Sequence, residues 1–211
     1  MTPTNLGDEF IRETLGPYGI CPDHNLCSGI RTYIGTLLHW NSKTALTTIV
    51  DPEDILRVHF GESFFAGETT GIVEGRVADI GTGPGFPGIP IRMVNQSVEL
   101  ALVEPVAKKT AFLHEVVRKL GLSGVDIIRC RMEDLPNDIG KFDVVTSRAL
   151  GNYDDLLQWS KVRLSQNGIV VLMIGEEEAE RLARKKDWHW SKKSIIPRSR
   201  GKFVLSGSPK L

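Results

Sequence analysis

Residues 79–90 read DIGTGPGFPGIP, with Gly81, Gly83 and Gly85 on alternate positions, Asp79 two residues ahead of the first and Phe86 directly behind the third. Glycines spaced this way let the backbone turn tightly and let a ligand lie against it, because no Cβ intervenes. A second residue able to do chemistry, Glu104, stands 19 residues after Gly85. A carboxylate there can accept hydrogen bonds from both hydroxyls of a ribose. Taken singly, a glycine loop and a strand-end acid are a turn and a cap; together at this spacing they describe a nucleoside site. A third group, Arg148 in Ser147-Arg148-Ala149-Leu150, offers a fixed cation and five donors but no base.

The elements that must position these residues are legible in the pattern of apolar side chains. Short β-prone runs at 76–81, 98–104, 125–130, 142–147 and 168–175 alternate with helical patterns, the signature of a parallel sheet with helices on its faces. Within 107–122, Phe112, Leu113, Val116, Val117 and Leu120 make one apolar stripe at helical period, and Gly121 ends it. Residues 153–164 and 176–186 also predict helices; the second opens with Glu176, Glu177, Glu178 and Glu180 and closes with Arg184, Lys185 and Lys186, as the helix dipole favours. In 188–207, two β-prone runs flank PRSRGK and predict an antiparallel hairpin. The expected fold class is therefore α/β: a mostly parallel seven-stranded sheet, a C-terminal antiparallel hairpin and an N-terminal helical extension. Residues 1–70 are assigned to the extension and 71–211 to the main domain. The glycine loop then follows the first strand, Glu104 ends the second and Arg148 follows the fourth.

Composition bounds the rest. A chain of 211 residues with 41% hydrophobic and 25% charged residues suits one main core. No apolar run approaches the roughly 18 residues that cross a bilayer, and the first residues lack a basic cluster followed by an apolar stretch; a cytoplasmic location with no membrane partner is expected. Cys21, Cys27 and Cys130 lack zinc-site spacing, so buried or half-buried thiols are expected and no metal. Net charge is zero but uneven. Residues 1–75 carry ten acidic and four basic side chains, whereas 181–202 carry nine basic ones against Asp187 alone. Such a tail steers toward phosphates, or else is the solvated side of a helix and hairpin.

The nicotinamide fingerprint Gly-x-Gly-x-x-Gly requires glycine where Phe86 stands, and Gly85 arrives one residue early. Asp-x-Gly-x-Gly-x-Gly after a first strand instead resembles motif I of Rossmann-like, class I S-adenosylmethionine-dependent methyltransferases. Their cofactor carries a zwitterionic methionyl end and a sulfonium, which a glycine turn beside an acid such as Asp79 suits. Pro84, Pro87 and Pro90 restrict the turn and the start of the next helix. Neither an Asp-Pro-Pro-Tyr or Asn-Pro-Pro-Tyr clamp for exocyclic amines nor a cysteine nucleophile for pyrimidine C5 follows the fourth strand. An acceptor with its own lone pair, such as guanine N7, needs no base, and catalysis becomes positioning.

Nearly the whole chain resembles one family, the bacterial small-subunit ribosomal RNA guanine-N7 methyltransferase G, or glucose-inhibited division protein B, family. The resemblance rests on DIGTGPGFPGIP, CRMEDLP, FDVVTSRAL and LLHWNSKTALTTIVDPEDILRVHFGES. It implies a cytoplasmic, monomeric enzyme that uses S-adenosylmethionine to methylate N7 of a guanosine in 16S ribosomal RNA or the small ribosomal subunit. It places the cofactor against Gly81, Gly83, Gly85 and Phe86, the adenosine near Glu104 and the Met132-Glu133 backbone, and Arg148 and Arg131 facing the cofactor or the guanosine. The chain departs from the family at Ala45-Leu46-Thr47 for Asn-Leu-Thr, at Glu62-Ser63 for Asp-Ser after His59, and at Ile174-Gly175 for Lys-Gly. The last change removes a cation from the carboxyl edge of the sheet. Read singly, His39, Trp40 and His59 are packing or capping residues. Two other functions remain: the same cofactor acting on another RNA or a small molecule, or cofactor binding without turnover.

Overall fold

The computed structural model describes residues 6–210; the part of the predicted extension at residues 1–5 lies outside them. Strands β1 (Glu74–Ile80), β2 (Ser97–Val103), β3 (Val125–Ile128), β4 (Phe142–Arg148), β5 (Leu164–Gly175), β6 (Trp188–Ile195) and β7 (Lys202–Pro209) form one sheet in the order β3-β2-β1-β4-β5-β7-β6. β1 to β5 run parallel, and β7 is antiparallel to both β5 and β6. This is the α/β arrangement expected from the alternating pattern. Strand order reverses between β1 and β4, and open parallel sheets bind ligands in the crevice beyond the strand ends at such a point.

Among the described residues there are eight α-helices: α1 (Asp8–Leu15), α2 (His24–Asn41), α3 (Pro52–Asp54), α4 (Glu62–Thr70), α5 (Gly88–Val94), α6 (Ala107–Leu120), α7 (Tyr153–Arg163) and α8 (Glu176–Ala183). A π-helical segment, Ile55–Gly61, joins α3 to α4. Local chemistry sets their ends. Asp23 caps α2 by accepting from the Leu26 amide, Asp51 caps α3 ahead of Pro52, and Asn152 caps α7 through the amides of Asp154 and Asp155. Gly121, at φ 63°, closes α6 in the left-handed region.

Because side chains alternate along a strand, the sheet feeds two apolar layers. Val77, Leu102 and Val144 pack with α2, α4, α5, α6 and the π segment, around Tyr33, Phe60, Phe64, Phe86 and Phe112. Ala78, Ile80, Val145, Leu172 and Ile174 pack on the opposite face with Leu156, Leu157, Leu182 and Trp188. The helical extension thus shares one core with the sheet.

Several boundaries differ from the sequence reading. β5 begins at Leu164, directly after α7, because Leu164 already pairs with Phe142 across a local irregularity. α8 stops at Ala183, so Arg184, Lys185 and Lys186 lie beyond it. β3 ends at Ile128, short of Cys130. Cys21 is exposed, not buried, while Cys27 is buried and Cys130 half-buried. Among the described residues no helix is long and apolar enough to cross a membrane, and no group of three or more His, Cys, Asp or Glu side chains is arranged to hold a metal ion.

Candidate active site

The glycine loop leaves β1 and is pinned at once, the amides of Gly81 and Thr82 donating to the Val103 carbonyl at 2.9 and 3.2 Å. Gly81, Gly83 and Gly85 have φ of 68°, 59° and 95°, conformations in which any Cβ would be strained. At Gly85 a Cβ would also come within 2.6 Å of both Ile89 and the Tyr33 hydroxyl. Asp79 is fully buried beneath the loop, one carboxylate oxygen accepting from Thr82 Oγ1 at 2.6 Å and the Gly88 amide at 2.8 Å. Burial raises its pKa to about 6, against the lowering effect of those two bonds. Phe86 turns away from the sheet ends into the helical extension, its ring 4.7 Å from His59, 5.1 Å from Tyr33 and 5.3 Å from Phe60. Tyr33 donates its hydroxyl to the Pro84 carbonyl from the same side. The extension therefore holds the loop by its outer edge.

His59 stacks on Phe86 and bonds Thr47 Oγ1 at 3.0 Å. Burial, with the nearby cations of Arg148 and Lys202, lowers its pKa to about 3. Since the unfolded histidine titrates near 6.5, its contribution is fully present above that pH and is lost as pH falls toward 3. Asp79 has the opposite sign: its contribution is present below 3.8 and is lost as pH rises through about 6. The two oppose each other between pH 6 and 4. His59→Phe removes one, so the variant gains about 1.4 kcal/mol per pH unit relative to the parent as pH falls across that window. Urea titrations at several pH values check this, and parallel pH profiles would refute it.

A pocket of about 530 Å³ opens beside the loop at the ends of β1 and β2. It brings together Gly81, Glu104, Arg131, Met132 and Glu133 from the sequence reading and adds Val106, Lys109, Cys130, Leu150, Asn152 and Asp155. Asp79, Gly83, Gly85, Phe86 and Arg148 do not line it. Gly83 acts one step behind, its amide donating to Glu104 Oε2 at 3.0 Å. The other oxygen, Oε1, accepts from the Val106 amide at 3.0 Å. A carboxylate has about four lone-pair positions, so two remain for a ligand.

A second cavity, about 410 Å³, adjoins the first across Leu150 and is lined by Glu62, Arg148, Tyr153, Ile174, Glu178 and Lys202, among others. Arg148 donates to the Val58 carbonyl at 3.1 Å and stands 3.6 Å from Glu62. Burial lowers its pKa, opposed chiefly by Glu62. Burial likewise raises the Tyr153 phenol, so it stays protonated. Ile174 is buried among α7 and α8 residues, and Lys202, which β7 places opposite Gly175, lines the same cavity.

The model of the GidB family, described as rRNA small subunit methyltransferase G, matches residues 26–203. The chain belongs to this family. Relatives named ribosomal RNA small subunit methyltransferase G include one from Desulfitobacterium hafniense, 37% identical over 73% of this chain and 65% of its own length. Another, from Roseiflexus sp., is 31% identical over 83% of this chain and 76% of its own. The chain thus spans just under two thirds of the Desulfitobacterium relative. Among solved structures, ribosomal protein L11 methylase from Lactobacillus delbrueckii subsp. bulgaricus superposes with a TM-score of 0.62 at 17% identity, covering 74% of this chain and 80% of that one. A glycopeptide N-methyltransferase complexed with sinefungin superposes with a TM-score of 0.60 at 12% identity, covering 72% and 87%. The chain has the Rossmann-like α/β fold of these methyltransferase structures.

The sequence reading had Glu62 only as a departure from the family and Lys202 only as one of nine basic residues, and did not single out Tyr153; their meeting in one cavity was not legible because each lies in a different segment. The one signal for Lys202 was its place at the foot of the hairpin's return strand.

Proposed function

We propose that the chain is an S-adenosylmethionine-dependent methyltransferase that methylates guanine N7 in small-subunit ribosomal RNA. One observation carries this reading: a nucleoside-sized pocket under Glu104 adjoins, across Leu150, a cavity that offers a fixed cation, Arg148, and no free base. Glu62 is occupied by Lys202, Glu178 by Arg181, and Tyr153 is held protonated. An amine acceptor must lose a proton, whereas guanine N7 presents a lone pair and leaves nothing for a base to do.

The cofactor is S-adenosylmethionine, and the first pocket suits it. The two unused lone pairs of Glu104 match two ribose hydroxyls, and Met132, Val106 and Leu150 provide apolar walls for a base. When bound, it supplies an electrophilic methyl group on a sulfonium. Gly81, Gly83 and Gly85 keep the loop backbone close to it, Asp79 and Phe86 hold the loop in place, and Glu133 and Arg131 edge the adenosine side. Arg148 orients the acceptor through guanine O6 or a phosphate, so that catalysis is mainly alignment. Residues 1–70 serve as an accessory segment of the 71–211 methyltransferase domain, in a cytoplasmic monomer. Arg198 and Arg200, exposed in the β6–β7 connection at the same edge of the sheet, meet RNA phosphates.

Small subunits from cells lacking the enzyme, incubated with methyl-labelled cofactor, are expected to carry label at guanine N7 of 16S RNA. Binding should weaken with salt at a slope of roughly −0.7 to −0.9 per phosphate contacted. Label at another atom or in another RNA would replace the acceptor, and cofactor binding without transfer would leave only a binding protein.

A further inference from the structure

Lys202 opens β7 opposite Gly175, at the carboxyl end of β5. Its ammonium reaches the two carboxylate oxygens of Glu62, on α4, at 2.9 and 3.2 Å. The Glu62 side chain is only 4% exposed. Its other cation, Arg148, stays 3.6 Å away, outside hydrogen-bond reach, and gives one N–H to Val58 instead. Two cations around one carboxylate leave a net charge of +1 on this wall of the cavity. The cavity's remaining carboxylate, Glu178, adds nothing to that balance, since Arg181 holds both of its oxygens at 2.7 and 2.8 Å.

We propose that Lys202 is a positioning residue for the methyl acceptor: by saturating Glu62 it keeps Arg148 from collapsing onto that carboxylate. This rests on reading Arg148 as the acceptor-side cation. A guanidinium left alone with a buried carboxylate closes into a bidentate pair, which consumes two of its donors and cancels its charge. Lysine, a compact charge with three donors, neutralises Glu62 from the hairpin side without competing for Arg148. The guanidinium keeps its remaining donors clear of Glu62, suited to the electron-rich O6 edge of a purine or to a phosphate. The hairpin thereby acts on the reacting centre through Glu62 and Arg148 and need not touch the substrate there.

Lys202→Met retains length and removes charge. On small subunits its kcat is expected to fall roughly 10- to 100-fold, with S-adenosylhomocysteine affinity, measured by calorimetry, within about twofold of the parent. Lys202→Arg recovers most of the lost rate. Glu62→Gln has the reverse electrostatic effect: with both cations unpaired, KM for the subunit falls about threefold and its salt dependence steepens, while kcat drops because the Lys202–Glu62 pair no longer sets the field around Arg148. A purely structural ion pair predicts lower thermal stability with unchanged kcat in the folded fraction. Parental kcat in Lys202→Met, or equal impairment of Lys202→Arg and Lys202→Met, would overturn the proposal. Should Lys202→Met fail to fold, an unchanged KM and kcat in Glu62→Gln would do so instead. If the parent chain itself transferred no methyl group to ribosomal RNA, the functional reading would fail before any variant was compared, and this inference with it.

Discussion

Replacing Arg148 with alanine is expected to lower kcat on small ribosomal subunits by roughly 100- to 1,000-fold, the loss typical when one preorganised charged donor is removed from a reacting centre. The side chain leaves the end of β4, packs under the extension, donates to the Val58 carbonyl and stands 3.6 Å from Glu62, so its guanidinium enters the reaction already oriented. Lysine at this position keeps a charge but loses the planar fork and the bond to Val58, and should recover only part of the rate. Stability moves less than activity, because Glu62 keeps Lys202 as a partner after the substitution. Steady-state kinetics beside calorimetry with S-adenosylhomocysteine separates the two roles open to Arg148. A drop in kcat at nearly unchanged cofactor affinity assigns it to the acceptor. An equal drop in cofactor affinity would move it to the cofactor's side and undo the account of the second cavity.

Glu104→Ala should act on the other half of the site. Each charge-assisted hydrogen bond to a ribose hydroxyl contributes about 1.5–3 kcal/mol, so losing two is expected to weaken cofactor binding by at least about 100-fold. The Gly83 and Val106 amides lose their acceptor at the same time, loosening the glycine loop and the entry to α6. Glu104→Gln keeps one acceptor oxygen and should be intermediate. At saturating cofactor kcat should return toward the parental value, since Glu104 lies on the far side of Leu150 from Arg148. Unaltered cofactor affinity in Glu104→Ala would remove the first pocket from consideration as the nucleoside site.

These two residues show how far local sequence reaches. Glu104 was legible because it ends a strand whose apolar run marks its own boundary, and its distance from Gly85 is one helix and one strand of ordinary length. Asp79 and Phe86 were equally visible as members of the loop, but the direction of their side chains was not. Motif spacing sets Phe86 beside Gly85, while the aromatic cluster of Tyr33, Phe60 and His59 draws the ring away from the pocket. Asp79 points inward because the Thr82 hydroxyl and the Gly88 amide both need its oxygen.

By itself the sequence determined the order and type of the elements, the backbone freedom of the glycine loop, and the placing of Glu104 and Arg148 at the ends of strands that a parallel sheet must align. Those properties depend on side-chain period and on conformational preference over a few residues, and a linear chain records them directly. Only the tertiary structure decided that Glu62, Arg148 and Lys202 share one wall, since the hairpin lysine and the extension's glutamate are 140 residues apart. Their meeting follows from strand order, from the register that sets Lys202 opposite Gly175, and from the packing of α4 over the sheet. No local pattern encodes those three together.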